Sequence, residues 1–237
     1  MQINAPEKYQ TATELEIIQQ YLPVQDKLLL ELGCGRAWMT RQLAERFGPR
    51  QIIATEVDII QHEKNLLIDD LPNVTFCAGG AEAIDLDDNS VDIVIMLKSL
   101  HHVPVPLMGQ GLSEIARVLR PGGLAYISEP VYAGDFNEIM RLFNDEKAVR
   151  EAAFEALQNS VSKGELLLIK QIFFNAPGSY RDFTEFDERM LQVTHTEHQI
   201  DEALYRRIRN AFNRHMGGDG AHFLKPSRVD LLQKPEL

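Results

Sequence analysis

At 237 residues the chain is long for one compact domain and short for two, which favours a single α/β domain with an elaborated region. Its 24 Lys and Arg against 35 Asp and Glu leave a formal charge of −11, a balance that argues against a nucleic-acid partner, because phosphate contacts need clustered cations. Two cysteines, Cys34 and Cys77, supply neither a disulfide framework nor metal-ligand spacing. The first residues lack a charged segment leading into an apolar one, and no apolar run reaches 18 residues. Neither a leader nor a membrane partner is therefore expected, and the expected compartment is the cytoplasm.

Residues 12–21 read as a helix closed by Leu22-Pro23. The apolar run 27–32 (KLLLEL) ends at a glycine turn and suits a strand covered on both faces. Residues 38–47 place Met39, Leu43 and Phe47 on one helical face. Further short strands are predicted at 51–57, 74–77 and 91–97, then a helix at 112–119 stopped by Pro121-Gly122-Gly123, and a strand at 124–128. Strands alternating with helices of this length imply βαβ crossovers and a parallel, doubly wound sheet.

Beyond residue 130 the pattern changes. Phe136, Ile139, Met140 and Phe143 predict one or two amphipathic helices over 134–158. Residues 166–174 read as a strand, and Ile200, Leu204, Ile208 and Phe212 mark another helix. The final strand, 222–232, contains Pro226 and is expected at or near an irregular edge. The whole chain, 1–237, is thus one domain. Residues 1–130 are its cofactor-binding core, 131–165 and 180–216 form a helical lid or acceptor-binding elements, and 166–174 and 222–232 are the last strands.

The turn Glu31-Leu-Gly-Cys-Gly35 lies between a strand and a helix, the context a glycine-rich ligand loop requires. Gly33 and Gly35 permit a tight turn that brings backbone N–H groups close to a ligand. A dinucleotide fingerprint needs a third glycine where Trp38 stands, and a bulky ring there would obstruct close helix packing. Glu31, two residues before the first glycine, instead suits a cationic ligand such as S-adenosylmethionine. Glu56, 21 residues after Gly35 at the end of the second strand of the core, can accept both ribose hydroxyls, a device that dinucleotide proteins share.

Taken in order, ELGCGR, ATEVD, GGAEAIDLDDNSVDIV and KSLHHVP…LSEIARVLRPGGLAYISEP resemble the methyltransferase domain of small-molecule class I enzymes, the group that includes the ubiquinone/menaquinone C-methyltransferases. The resemblance covers somewhat under half of the chain. It implies a Rossmann-like, seven-stranded sheet in the order 3-2-1-4-5-7-6 with the last strand antiparallel, S-adenosylmethionine as cofactor, and S-adenosylhomocysteine as product. By residue, it implies that Glu31, Gly33, Cys34 and Gly35 line the methionine moiety and Leu97 meets it. Glu56 would hold the ribose, Val57 would pack on the adenine, and Ala81 would offer its N–H to the ring with Glu82 beside it. Two positions depart from the family pattern. Gly80 stands where an Asp usually accepts from the adenine amino group, and Arg36 replaces a small residue.

On the acceptor side, Lys98, His101 and His102 follow the fourth strand, and Glu129 and Tyr132 follow the fifth, so all can face a transferred methyl group. His101, His102 and Glu129 are candidate proton acceptors; Lys98 and Tyr132 are candidate substrate contacts. A buried unpaired lysine is costly, so Lys98 is expected to have an anionic partner, Glu129 being one choice. His195 and His198 flank a carboxylate and could contribute to a metal site or contact the acceptor. Thr196 with Gln199 is a capping-box pattern, however, so capping is preferred and no metal ligands are assigned. Arg206, Arg207, Arg209 and Arg214 read as a solvated face. The function expected is methyl transfer to a small molecule. An RNA or protein acceptor, or cofactor binding without transfer, are the alternatives, and the oligomeric state is not encoded legibly.

Overall fold

The computed structural model of the chain describes residues 1–192 and 199–236. The apolar runs become parallel strands because each has a helix layer on both sides. β2 (Leu28–Leu32), β3 (Gln51–Glu56) and β4 (Val74–Ala78) are separated by α2 (Trp38–Arg46) and α3 (Ile59–Asn65); a loop then leads to β5 (Val91–Leu97), and α4 (Met108–Val118) follows it. A two-residue β1 (Gln10–Thr11) and α1 (Glu14–Tyr21) precede them. β6 (Leu119–Pro130), α5 (Asp135–Met140), α6 (Lys147–Ser162), β7 (Leu167–Tyr180), α7 (Phe183–Phe186), α8 (Glu202–Asn213), β8 (Met216–Gly217) and β9 (Gly220–Gln233) complete the chain.

The sheet runs β1-β7-β9-β6-β5-β2-β3-β4, with β8 on β9. Apart from the short additions β1 and β8, this is the expected order 3-2-1-4-5-7-6, and β9 is antiparallel to both β6 and β7. Strand alternation divides the core. Leu30, Leu32, Val94, Met96 and Ile127 face Leu112 and Ile115 of α4 and Ala153 and Leu157 of α6. Leu29, Ile93, Ile95 and Tyr126 face Ile17 and Ile18 of α1 and Met39 and Leu43 of α2. Each such fully buried aliphatic side chain contributes about 1.5–3 kcal/mol of transfer free energy.

β9 is not itself an edge: it pairs with β6 on one side and β7 on the other, and its proline sits where it does little harm. The Pro226 carbonyl accepts from Val131 N–H at 2.9 Å, so its backbone polar groups point toward β6, whose ladder ends one residue earlier at Pro130 and Ser227. The helix after residue 200 is capped by Asp201, whose carboxylate accepts from Leu204 N–H at 2.7 Å. The expected Thr196 cap, with His195 and His198, lies outside the described residues.

β9 also carries a buried ion pair. Arg228 Nε donates to Asp230 at 2.7 Å, Gln171 donates to the same carboxylate at 2.7 Å, and the guanidinium lies 4.5 Å from the Phe154 ring centre. At its far end the β7–β9 pairing continues as a two-stranded antiparallel ribbon to Tyr180 and Ala221. There Ile139, Tyr180, Phe183, Phe186, Ile208, Phe212 and Phe223 form a second, largely aromatic core shared by α5, α7 and α8. Among the described residues no helix is long and apolar enough to cross a membrane.

Candidate active site

The turn after β2 is built for close approach. Gly33 has φ +75°, and a Cβ there would stand 2.9 Å from the Cβ of Ser99, which follows β5. Only glycine lets the two loops pass. Ser99 Oγ closes the contact by donating to Leu32 O at 2.9 Å, while Gly33 and Cys34 N–H both donate to Thr55 O. At the end of β3, Glu56 accepts from three backbone N–H groups: Gly35 at 2.7 Å on one oxygen, Val57 and Asp58 at 2.9 Å on the other. The carboxylate is thereby fixed opposite the turn.

Glu31 is 3% exposed and accepts from Thr40 Oγ1 at 2.7 Å; burial pushes its carboxyl up to about 7, with Thr40 opposing. Burial, reinforced by Glu31 and Glu56, also pushes the Cys34 thiol up to about 12, which makes it an unreactive wall residue. Val57 is exposed, Ala81 is buried, and Leu97 is half-buried at the end of β5. Gly80 has its own logic. A Cβ there would lie 2.7 Å from Glu82 Oε1, so the Glu82 carboxylate occupies the space a side chain at 80 would enter.

Across the ends of β5 and β6 the chemistry is different. Leu97 ends β5, and Lys98 adopts φ +57° with its N–H on Ser128 O at 2.7 Å, which breaks the strand alternation and turns the chain into the short helical segment Leu100–His102. Glu129 then accepts from Leu100 N–H at 3.0 Å and meets His101 Nδ1 at 2.5 Å; both side chains are 3% exposed. His101 Nε2 stands 3.8 Å from Glu146, which also binds Arg150 at 2.6 Å. Burial acts to raise the Glu146 carboxyl, but its neighbours His101 and Arg150 hold it below the usual range.

A cavity of about 350 Å³, the size of a small-molecule pocket, opens here. Lys98, His101, His102, Phe136, Glu146 and Lys225 are among the residues that line it. Lys98 is exposed and Glu129 is already committed to His101 and Leu100, so the expected Lys98–Glu129 pair does not form. Tyr132 is not among the lining residues; its hydroxyl is tied to Arg141 and Asp145 instead. His101, His102 and Glu146 bring three potential metal-ligand atoms within 4.8 Å of one another. The Arg150 guanidinium on Glu146 opposes a divalent cation at that spot.

Residues 29–123 match the model of a methyltransferase domain. An uncharacterized methyltransferase of Mycobacterium tuberculosis is 36% identical over 121 residues, which cover 51% of this chain and 47% of the relative. Over these residues the chain is similar to methyltransferase domains. A sterol 24-C-methyltransferase of Yarrowia lipolytica is 32% identical over 114 residues, 46% of this chain and 29% of that enzyme. The chain spans about half the length of the curated Mycobacterium relatives it matches first. The fold of the Bacillus subtilis YcgJ protein matches with a TM-score of 0.64 at 19% identity, over 94% of this chain and 97% of that one.

Within residues 29–123 the turn residues, Glu56 and Glu82 stand at or after the carboxyl ends of β2, β3 and β4. The cavity draws on residues that no motif marks: Asn137, Glu146, Arg150, Arg189 and Lys225. The only sequence signal near them is the amphipathic run through Phe136 and Met140, both of which line the cavity. Trp38 is 64% exposed at the start of α2, so its ring stays clear of the helix packing it was expected to obstruct.

Proposed function

We propose that the chain binds S-adenosylmethionine at the glycine turn and transfers its methyl group to a small-molecule acceptor held in the cavity. The observation that carries this reading is the Glu56 carboxylate, held by three N–H groups opposite the Gly33–Gly35 turn. Glu56 would hold the ribose hydroxyls, Glu82 would accept from the adenine amino group in place of the missing carboxylate at 80, and Glu31 would face the methionine end. Lys98 and Ser99 support a shared boundary between the two halves, since Ser99 packs on Gly33 and Lys98 lines the cavity.

When bound, the sulfonium supplies an electrophilic methyl group. His101 is the proposed base: its Nε2 takes the proton of the attacking atom, while Glu129 holds Nδ1 and fixes the ring. His102 lines the cavity beside it, the two rings 4.1 Å apart. A cavity of this size walled by α5, α6 and β9 favours a small acceptor over a polymer. Calorimetry with S-adenosylhomocysteine tests the reading: micromolar binding to wild-type protein is expected, and absence of binding by folded protein overturns it.

A further inference from the structure

The cavity is charged in one sense. Lys98, Arg150, Arg189 and Lys225 line it against a single carboxylate, Glu146. Glu146 is engaged by Arg150 at 2.6 Å, and Arg189 pairs outward with Glu185 at 3.0 Å. Lys98 and Lys225 make no ion pair among the described residues. Ordinary surface lysines are solvated or paired, whereas Lys225 is turned inward by its own strand and by a gap in the neighbouring one.

That gap is Gly178 on β7. A Cβ there would stand 2.7 Å from Lys225 Cε and 2.9 Å from Nζ, so the lysine fills the space a side chain would take. Its ammonium lies 3.9 Å from the Phe136 ring centre and 5.1 Å from that of Tyr180, and donates to the Tyr180 hydroxyl at 3.2 Å. Aromatic faces and a hydroxyl compensate an ammonium only in part. Burial, then the charges of Lys98 and Arg189, push it down to about 8. A buried amide borders the same cavity. Asn137 is 6% exposed; its Oδ1 accepts from Arg150 at 3.1 Å, which fixes the amide, and its Nδ2 meets no acceptor among the described residues. Val131, Phe136, Met140 and Met190 supply apolar wall.

We propose that the methyl acceptor is an amphipathic anion, a carboxylate or phosphate monoester on an apolar body, whose anionic group sits on Lys225 with Lys98 and Arg189 beside it. The proposal rests on the methyltransferase reading, because it takes the cavity as the acceptor site. An anion there would neutralise cations that otherwise repel one another.

The test is calorimetry on the full chain saturated with S-adenosylhomocysteine, using benzoate, phenyl phosphate, benzyl alcohol and benzylamine as probes. The two anions should bind at least about tenfold tighter than the alcohol, and the amine should not compete. The stronger of the two anions identifies the headgroup class. Lys225→Met should weaken both anions about tenfold while leaving S-adenosylhomocysteine affinity unchanged. Arg189→Gln, at an exposed position where folding is not at risk, should weaken them in the same direction. Equal binding of benzyl alcohol, no anion binding, or loss within twofold in Lys225→Met would each overturn the proposal. Failure of S-adenosylhomocysteine itself to bind the wild-type chain overturns the parent reading instead, so the two failures are separable.

Discussion

The carboxylate of Glu129 and the imidazole of His101 meet at 2.5 Å, both buried, with the other Glu129 oxygen tied to Leu100 N–H. A residue at the end of one strand thereby fixes a ring on the loop after the neighbouring strand. The ring's second nitrogen remains on the cavity side, 3.8 Å from Glu146.

Replacing Glu129 with Gln should therefore impair chemistry and spare cofactor binding. We expect methyl transfer from labelled S-adenosylmethionine to acceptors in a cell extract to fall about 10²-fold, the usual scale for losing a positioned base. S-adenosylhomocysteine affinity should stay within twofold. Equal loss of both would assign Glu129 to the architecture alone.

The adenosine end gives a graded pair. Glu56→Gln disturbs a carboxylate that accepts three N–H groups and should weaken S-adenosylhomocysteine binding by about one to two orders of magnitude. Glu82→Gln should cost about tenfold if, as proposed, the carboxylate beside Gly80 accepts from the adenine amino group. Binding unchanged in Glu82→Gln would show that adenine finds its acceptor elsewhere.

Glu31 sets a pH dependence. Its carboxyl is raised to about 7 from an ordinary 4.5, so between those values the folded chain holds a proton that the unfolded chain has released. Stability without ligand should thus be full below about pH 4.5 and decline as pH rises through about 7, by up to about 3 kcal/mol from this group. Denaturant midpoints at pH 5 and pH 8 should converge in Glu31→Gln. A wild-type slope retained by that variant would assign the effect to other groups.

The Arg228–Asp230 pair tests the sheet behind the site. Removing one partner leaves a buried charge, so Arg228→Met should cost about 3–5 kcal/mol in urea unfolding. The double variant Arg228→Met with Asp230→Leu should recover most of that loss. A double variant as unstable as the sum of its singles would refute the pairing.

The glycine turn was legible because its parts are local. Glu31, Gly33 and Gly35 sit within five residues, and their strand-turn-helix context is written in the flanking apolar runs. The strand order was legible for the same reason, through the family resemblance of those runs. The acceptor half was not, because register decides it. Nothing in the sequence says that Glu129 reaches across to His101 instead of Lys98, since that depends on the positive φ at Lys98. Nor could Pro226 be placed correctly without knowing where β6 stops. Lys225 and Gly178 are 47 residues apart in sequence and lie on adjacent strands, brought close by the β7–β9 ladder.

The outer part of β9 has a parity. Ala221, Phe223 and Lys225 point inward, to the aromatic core or the cavity, while His222 and Leu224 are exposed. Because strand side chains alternate strictly, inserting one residue between Lys225 and Arg228 would exchange the two sets, sending the ammonium to solvent and Leu224 into the cavity. Inserting two would restore it one step along. Even and odd changes in this segment should then differ sharply in the ligands they admit, and lineages that lengthen the wall without losing an inward cation would have to do so in pairs.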